Sequence, residues 1–249
     1  MAFWHNSLMS LQGLFPPETL YHLMVLSSYT KVDTNVHIEK ICIPGTYKSF
    51  AAAEAAAHNC LYDIGYKAES FAQCETDPDV LREMNLTQGA ELSVFAAMVD
   101  GSMLRVRIKK TLNDGCLSTS PGGDKVSDTL YYIIETLVQD NGADENTSVR
   151  DIQIQGVFTT YQEARNLADR VLLSEEDGIT KDSYIEYDEA RLNEVPWQFG
   201  ENVLVHAVGD YGETYFVSVI RTKMTVPTSL DEAVMRIHRT YRPFPETPR

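Results

Sequence analysis

The chain contains an internal duplication, in which its two halves resemble each other at a single shift of 111 positions. Residues with different structural tasks recur together at that shift, such as Gly45 with Gly156 and Ala53 with Ala164. A fixed period of this kind indicates a module that is copied along the chain, and each copy must then bury equivalent side chains. Further matches are Tyr21/Tyr132, Leu26/Leu137, Asp33/Asp144, Asn35/Asn146, Ile41/Ile152, Ile43/Ile154, Ala57/Ala168, Leu61/Leu172, Gly89/Gly200, Val94/Val205, Ala96/Ala207, Gly101/Gly212 and Thr111/Thr222.

The best-preserved part of the repeat reads I-x-G-x-[YF]-x-[ST]-[FY]-x-x-A-x-x-x-A-x-x-x-L, at residues 43–61 and 154–172. Its alternating aliphatic residues predict a half-buried strand, and the glycine near the strand's end predicts a bulge or a close backbone approach. Ser49 and Thr160 are suited to cap a helix, and Thr160 with Glu163 has the spacing of a capping box. Because alanines keep one face of that helix thin, we expect it to lie close to a sheet.

Each copy shows the same order of predicted elements, with one strand before the motif and three strands after it. The last two strands form a hairpin, for which Asp100-Gly101 between alternating apolar runs is a strong signal. We therefore predict an α+β protein of two tandem ββαβββ units, each an antiparallel sheet covered by one helix, packed as a pseudo-dimer. The predicted strands outside the motif span residues 20–28, 70–75, 92–99 and 104–112 in the first copy and 130–139, 183–188, 203–208 and 215–223 in the second.

The remaining residues divide the chain into five segments. Two predicted repeat units, at residues 18–112 and 129–224, are joined by a surface linker at 113–128 that is rich in turn residues. An apolar N-terminal segment occupies residues 1–17, and a C-terminal tail occupies 225–249. The apolar residues of the tail have helical spacing and predict a short amphipathic helix capped by Thr228 or Ser229: they are Leu230, Ala233, Val234, Ile237 and Tyr241.

The repeated motif and the closing hairpin resemble a recurrent pattern in uncharacterised filamentous-fungal proteins. Those proteins carry tandem strand–Gly–helix repeats of the form I-x-G-x-[YF]-x-[ST]…A-x3-A. The resemblance covers about residues 20–112 and 130–223. It implies the tandem architecture, and it carries over no catalytic residues, because a shared fold does not by itself define a function.

The chain is acidic, with 36 Asp and Glu residues against 21 Lys and Arg residues and a net charge of −15. Because this average field repels a phosphate backbone, we predict no nucleic-acid partner. The sequence shows neither a run of about 18 apolar residues for a membrane span nor the features of a secretory signal. All four cysteines lie in the first half without a C-x-x-C pair, which favours reduced thiols. We therefore expect a cytoplasmic protein that does not associate with membranes.

The negative charge is divided unevenly between the two copies. Residues 18–112 carry 9 basic and 12 acidic side chains, a net charge of −3, whereas residues 129–224 carry 7 and 18, a net charge of −11. The simpler interpretation is a well-solvated surface on the second copy. The alternative is a patch that binds a basic partner or a cation.

One strand face changes its chemistry between the copies. Three basic residues alternate with apolar ones in the first hairpin, which is typical of a charged face that protects a sheet edge. The same face could instead lie against the acidic second unit. Largely apolar residues replace them in the second hairpin, so we expect a tail or another chain to cover that face and predict binding residues there, together with Trp197. The basic residues are Arg105, Arg107 and Lys109, and their replacements are Phe216, Ser218 and Ile220.

Local motifs for chemistry are missing from the sequence. The six histidines form neither H-x-H nor H-E-x-x-H, so we predict no metal site and no cofactor. The G-x-S-x-G and G-x-G-x-x-G signatures do not occur either. The candidates for acid–base catalysis are His206, Glu186 and Tyr184, which would share an apolar pocket with Trp197. His206 stands out because an aromatic residue, Phe95, occupies the matching position of the first copy.

Two functions are consistent with these observations, and the sequence leaves open whether the protein is an enzyme. The first is a non-catalytic tandem-repeat protein that binds a protein partner or a small molecule, with a homodimer as an option. The second is a small enzyme of the cyclase or isomerase type in fungal specialised metabolism, with its pocket in or beside the second unit. Such enzymes act largely by shaping the substrate, so the lack of motifs does not exclude them.

Overall fold

The computed structural model describes residues 18–29, 38–84, 92–119, 121–140, 148–190, 197, 199–200 and 202–222. The N-terminal segment and the C-terminal tail, with its expected helix, lie outside these ranges. No helix among the described residues is long and apolar enough to cross a membrane.

The first unit is a five-stranded antiparallel sheet in the order β2-β1-β5-β4-β3. Helix α1 covers one face of this sheet, and the short helix α2 packs beside β4. The elements are β1 (Thr19–Tyr29), β2 (Ile38–Tyr47), α1 (Phe50–Asp63), β3 (Phe71–Glu75), α2 (Pro78–Met84), β4 (Leu92–Met98) and β5 (Ser102–Leu112).

The second unit repeats this arrangement as a sheet in the order β7-β6-β10-β9-β8, with α3 on one face. Each strand occupies the same place in its sheet as its counterpart in the first unit. The elements are β6 (Tyr131–Asp140), β7 (Ser148–Phe158), α3 (Tyr161–Ala168), β8 (Glu186–Glu189), β9 (Val203–Val208) and β10 (Thr214–Arg221). The predicted α+β fold of two similar antiparallel units is confirmed.

The repeated glycine lies at a bulge in both sheets. The register between β1 and β2 shifts beside Gly45, and the register between β6 and β7 shifts beside Gly156. A Cβ atom at Gly45 would come within 3.0 Å of the Tyr47 ring, and one at Gly156 within 2.8 Å of the Phe158 ring. Both parts of the prediction, the bulge and the close approach, therefore hold, because the bulge turns the next aromatic ring over the glycine.

The repeated helix begins at the predicted caps and buries the predicted alanines. The Ser49 hydroxyl accepts a hydrogen bond from the backbone N–H of Ala52 at 3.2 Å. Thr160 accepts one from the backbone N–H of Glu163 at 3.4 Å and donates its own proton to the Glu163 carboxylate at 2.5 Å. The alanines at the sheet side have no exposed surface, so the helices lie directly on the strands: they are Ala53, Ala57, Ala164 and Ala168.

Each sheet buries both of its faces, one under its helix and the other against the sister sheet. The face opposite the helices forms one apolar core that both units share. Leu20 and Met24 of β1 contribute to it from the first sheet, and Tyr132 and Ile134 of β6 from the second. Its other buried members are Leu26, Ile41, Ile43, Leu117, Val126, Leu130, Val138, Ile152, Phe199, Val203, Phe216 and Ile220. The two units therefore pack as a pseudo-dimer within one chain.

The first strand of each copy corresponds at a shift of 110 rather than 111. Tyr21 packs edge-on against Phe50 with ring centroids 5.7 Å apart, and Tyr131 packs in the same way against Tyr161 at 5.9 Å. The match of Tyr21 to Tyr132 is therefore wrong, because Tyr132 lies on the opposite face of its sheet, in the shared core.

The strand pairing gives the same correction. Leu23 pairs with Ile108 in the first sheet, and Ile133 pairs with Val219 in the second. Leu26 consequently corresponds to Thr136 and not to Leu137. The second copy has one additional residue between its first two strands, and a slip of one residue exchanges the faces of a strand.

The basic face of β5 does not protect an edge, because β5 lies between β1 and β4. Its apolar residues Leu104 and Val106 point toward α1, so Arg105 and Arg107 point toward the second sheet. Arg107 is only 5% exposed. The alternative expectation, that this face lies against the second unit, is the one that agrees with the structure.

The apolar face of β10 is covered by the first sheet of the same chain. Phe216 and Ile220 are members of the shared core, and Ser218 between them has no exposed surface. We expected a tail or another chain to cover this face, but the first sheet of the same chain covers it. The faces of β5 and β10 form opposite sides of one interface. Their residues differ because each face packs against a surface of different composition.

Four other details differ from expectation. Helix α3 ends at Ala168 instead of continuing to residue 172, and β8 begins at Glu186 after a short 3-10 helix at Lys181–Ser183. Helix α2 (Pro78–Met84) was not expected. The linker is not purely a surface segment, since Leu117 and Val126 are buried in the shared core. The four cysteines are free thiols in the structure.

Replacing the buried alanines by leucine tests the close contact between helix and sheet. We expect Ala53→Leu and Ala164→Leu each to lower the free energy of unfolding by about 1–3 kcal/mol, because neither site has room for three more carbon atoms. Urea denaturation followed by circular dichroism measures the change. The exposed Ala55→Leu on the same helix is the control and should stay within about 0.5 kcal/mol of the parent. Unchanged stability of either buried variant would contradict the proposed packing.

Candidate functional site

A cavity of about 540 Å³ opens where the end of β2, the first turn of α1 and the linker meet. Leu130 and Thr222, which lie just outside β6 and β10, complete the wall, so both units contribute. We call this cavity the linker pocket. Its lining residues are Pro44, Gly45, Thr46, Tyr47, Ala52, Gly123, Asp124, Lys125, Val126, Ser127, Asp128, Leu130 and Thr222.

Hydrogen bonds to β2 and α1 hold the linker in place as one wall of the pocket. The N–H of Val126 donates to the carbonyl of Thr46 at 2.8 Å, and the N–H of Lys48 donates to the carbonyl of Asp124 at 2.9 Å. The Ser49 hydroxyl, which caps α1, also donates to the Asp124 carboxylate at 2.9 Å. The linker thus adds a strand-like segment beside the end of β2, and the gap between this segment and the helix is the pocket.

A buried chain of hydrogen bonds lies behind the pocket wall at Thr46. His22 contacts the Thr46 hydroxyl through Nδ1 and the Thr111 hydroxyl through Nε2, both at 2.8 Å. The Thr46 hydroxyl also lies 2.5 Å from the hydroxyl of Tyr132, which belongs to the second sheet. Both His22 and Tyr132 have no exposed surface. This chain therefore joins the two units by polar contacts.

The contacts along this chain fit a neutral His22. The Thr222 hydroxyl donates to the carbonyl of Leu130 at 2.9 Å and accepts from the N–H of Leu130 at 2.7 Å. The Thr46 hydroxyl contacts both His22 and Tyr132. A neutral imidazole fits its two hydroxyl neighbours, because one ring nitrogen then donates and the other accepts.

Burial fixes the protonation states of both ionisable members. It lowers the pKa of His22 to about 4, because a charged imidazole would be removed from water without an opposite charge beside it. Burial likewise raises the pKa of Tyr132, with the hydrogen bonds from Thr46 and Thr222 acting in the opposite direction. At neutral pH the pocket wall is therefore backed by uncharged donors and acceptors.

Charged side chains occur at the pocket's outer rim. Lys125 lies over the Tyr47 ring, with Nζ 5.9 Å from the ring centroid, and Asp124 and Asp128 are exposed. Such an arrangement, with apolar walls, a neutral polar group and a charged mouth, suits an organic molecule of modest size. It offers no nucleophile with an adjacent base.

The structure brings two of the three predicted catalytic residues together. His206 on β9 faces β8, where Glu186 and Asp188 lie, and the ligand atoms of these three side chains are within 4.8 Å of one another. Burial lowers the pKa of His206, and the neighbouring carboxylates oppose that shift, Asp188 most strongly. Tyr184 lies elsewhere: it packs against Tyr187 and Tyr215 on the helix-covered face, and its hydroxyl donates to the carbonyl of Leu172 at 2.7 Å.

The predicted binding residues are parts of the shared core and its border. Phe216, Ser218 and Ile220 are buried, and Trp197 packs against the same core with its ring centroid 5.2 Å from that of Phe199. None of the four lines the linker pocket. Their role in binding stays a prediction, whereas their packing role is evident.

Sequence reasoning did not find the linker pocket. Its lining residues come from four separate stretches of chain, and most are small or ordinary residues without a motif. Gly45 is a fixed position of the repeated motif, and the sequence explains it by a bulge or a close backbone approach alone.

No family model, curated protein or solved structure that was compared with the chain matches it. The resemblance to filamentous-fungal repeat proteins therefore stays an expectation from the motif.

The neutral state of His22 predicts a specific pH dependence of stability. The unfolded chain binds a proton at His22 below its usual pKa of about 6.5, whereas the folded chain does not until about pH 4. Stability contributed by this site is present above pH 6.5 and is lost as the pH falls toward 4. We expect a loss of about 2 kcal/mol between pH 7 and pH 5 from His22 alone.

Urea denaturation at pH 7 and pH 5 measures this loss in the parent and in His22→Gln, which removes the titrating group. The difference between the two proteins isolates His22 from other groups, including His206. An NMR titration of the His22 imidazole gives its folded pKa directly and does not depend on how well the variant folds. A folded pKa near 6.5 would refute the description of this site.

Proposed function

We propose that this protein is a non-catalytic tandem-repeat protein that binds a small molecule in the linker pocket. The observation that carries the proposal is a cavity of about 540 Å³ whose walls come from both units and the linker. Small-molecule sites typically enclose about 300–1,000 Å³ and lie where structural units meet. A recessed cavity of this kind favours a small molecule over the flat surface of a protein partner.

The lining chemistry limits the class of ligand. The lining residues Thr46 and Thr222 both contact the buried His22–Tyr132 chain, and the same lining includes the aliphatic side chains of Pro44, Val126 and Leu130. A mostly apolar molecule with one hydroxyl or carbonyl group matches these walls. A polar or anionic substituent of that molecule would lie at the mouth, near the ammonium group of Lys125.

Divergence of the two copies also supports a binding role for the first. Glu163 stands in the second unit where Ala52 lines the pocket in the first, and its carboxylate is held by Thr160. Leu167 fills space near Gly156, with its Cδ2 atom 3.4 Å from the place of a Cβ atom there. The two copies therefore differ at the helix position that lines the linker pocket in the first copy.

An enzyme of the cyclase or isomerase type is the second candidate. It is favoured by one observation, the convergence of His206, Asp188 and Glu186 from two strands. Such a residue set could move a proton within a bound substrate. The linker pocket includes none of these residues, so this function would need a separate substrate site beside the second unit.

Filling the pocket tests the proposed function. We expect Ala52→Leu to abolish or weaken at least tenfold the binding of fluorinated fragments that are selected for binding to the parent protein, because the added side chain occupies the cavity. Fluorine NMR measures binding, and chemical shifts of the Thr46 and Val126 amides show whether bound fragments lie in the linker pocket.

Ala55→Leu is the matched control, since it makes the same substitution on an exposed part of α1. It should leave fragment binding unchanged. Failure of every fragment to perturb the Thr46 and Val126 amides, or equal binding to Ala52→Leu and the parent, would reject the linker pocket as the binding site.

A further inference from the structure

His206 lies between an aromatic stack and two carboxylates at the outer part of the second sheet. Its ring stacks on that of Phe199 with centroids 3.8 Å apart and an angle of 13° between the planes. Its cross-strand partner in the ladder is Asp188, and Glu186 lies two residues earlier on the same face of β8. The stacking fixes the plane of the imidazole, and its Nδ1 atom lies 3.5 Å from Oδ2 of Asp188.

The Nδ1 atom of His206 has no hydrogen-bond partner among the residues that the structure describes, although the side chain is only 8% exposed. The Oδ2 atom of Asp188 is 3.5 Å away. Hydrogen bonds between nitrogen and oxygen are about 2.7–3.2 Å long. A buried nitrogen at this distance from a carboxylate is therefore positioned near its partner but not bonded to it.

The separation between Nδ1 of His206 and Oδ2 of Asp188 is also the separation expected for two ligand atoms bound to one metal ion. Zn²⁺ binds nitrogen and oxygen at about 2.0–2.2 Å in a tetrahedron, which places its ligands about 3.3–3.6 Å apart. The three ligand atoms of Glu186, Asp188 and His206 all lie within 4.8 Å of one another, and the two carboxylates are exposed and can adjust. An ion between them would give Nδ1 the partner that it lacks.

We propose that Glu186, Asp188 and His206 form a binding site for a divalent transition-metal ion, with Zn²⁺ as the best match. One imidazole and two carboxylates are ligands typical of zinc and its neighbours, whereas Mg²⁺ and Ca²⁺ prefer oxygen alone. Three protein ligands leave the fourth tetrahedral position to water. The site therefore goes beyond small-molecule binding in the linker pocket and is independent of it.

The first unit shows what the same place looks like without a metal site. Phe95 stands at the position of His206 and pairs with Glu75, as His206 pairs with Asp188. The imidazole thus distinguishes the two copies at this position. The surplus of acidic residues in the second copy agrees with a site that attracts a cation, since residues 129–224 carry a net charge of −11.

Calorimetric titration of the full-length, tag-free and metal-free protein with ZnCl₂ tests the site. We expect one Zn²⁺ per chain at this site, and at least a tenfold weaker affinity in both His206→Phe and Asp188→Asn. His206→Phe is the residue of the sister copy and keeps the stacking on Phe199, while Asp188→Asn changes an exposed side chain. MgCl₂ should give no comparable binding.

Glu75→Gln is the matched control, because it removes a carboxylate from the equivalent strand of the first unit. It should bind Zn²⁺ like the parent protein. Co²⁺ substitution supplies a second measurement, in which the visible absorption of the tetrahedral ion should appear in the parent and be lost in Asp188→Asn. Zn²⁺ affinity that is the same in Asp188→Asn as in the parent, or that falls equally in Glu75→Gln, would overturn the proposal.

Discussion

The structure depends on burial of the face that the two sheets share. Each unit can cover only one side of its sheet with a helix, so the other side must find a second apolar surface, and the sister unit supplies it. Leu20 and Met24 meet Tyr132 and Ile134 there, and the linker adds Leu117 and Val126. Because burial of apolar area is the main favourable term in folding, neither unit is expected to be stable without the other.

The interface also explains where the two copies diverged. Positions under the helices kept their residue types, as Ala53 and Ala164 show, because each unit retains its own helix. On the shared face some positions changed, as Arg107 and Ser218 show, while others such as Ile41 and Ile152 kept their residue type. His22 and Tyr132 occupy equivalent places in their strands, and together they form the polar chain behind the linker pocket. The candidate sites therefore lie where the copies differ.

Much of the fold could be predicted because its signals are local. The strand period, the glycine bulge and the helix caps depend on neighbours in sequence, and the repeat reinforces each of them by a second example. The first strand was misaligned by one residue because an insertion lies between it and the motif. Side chains alternate along a strand with a period of two, and this pattern alone does not reveal a shift of one residue between the copies. The basic residues of β5 fit both edge protection and a contact with the second unit, since sequence does not show that β5 lies between β1 and β4.

The sequence by itself determined a duplicated α+β module, the positions of most of its strands, the start of α1 and of α3, and the alanines that these two helices bury. Only the tertiary structure decided what covers the second face of each sheet, where the linker lies, and which polar groups meet. His206 and Asp188 are 18 positions apart in the chain and become neighbours through strand pairing. Local periodicity records whether a side chain points inward, but the identity of its neighbour is set by long-range packing, for which a single sequence carries no direct signal.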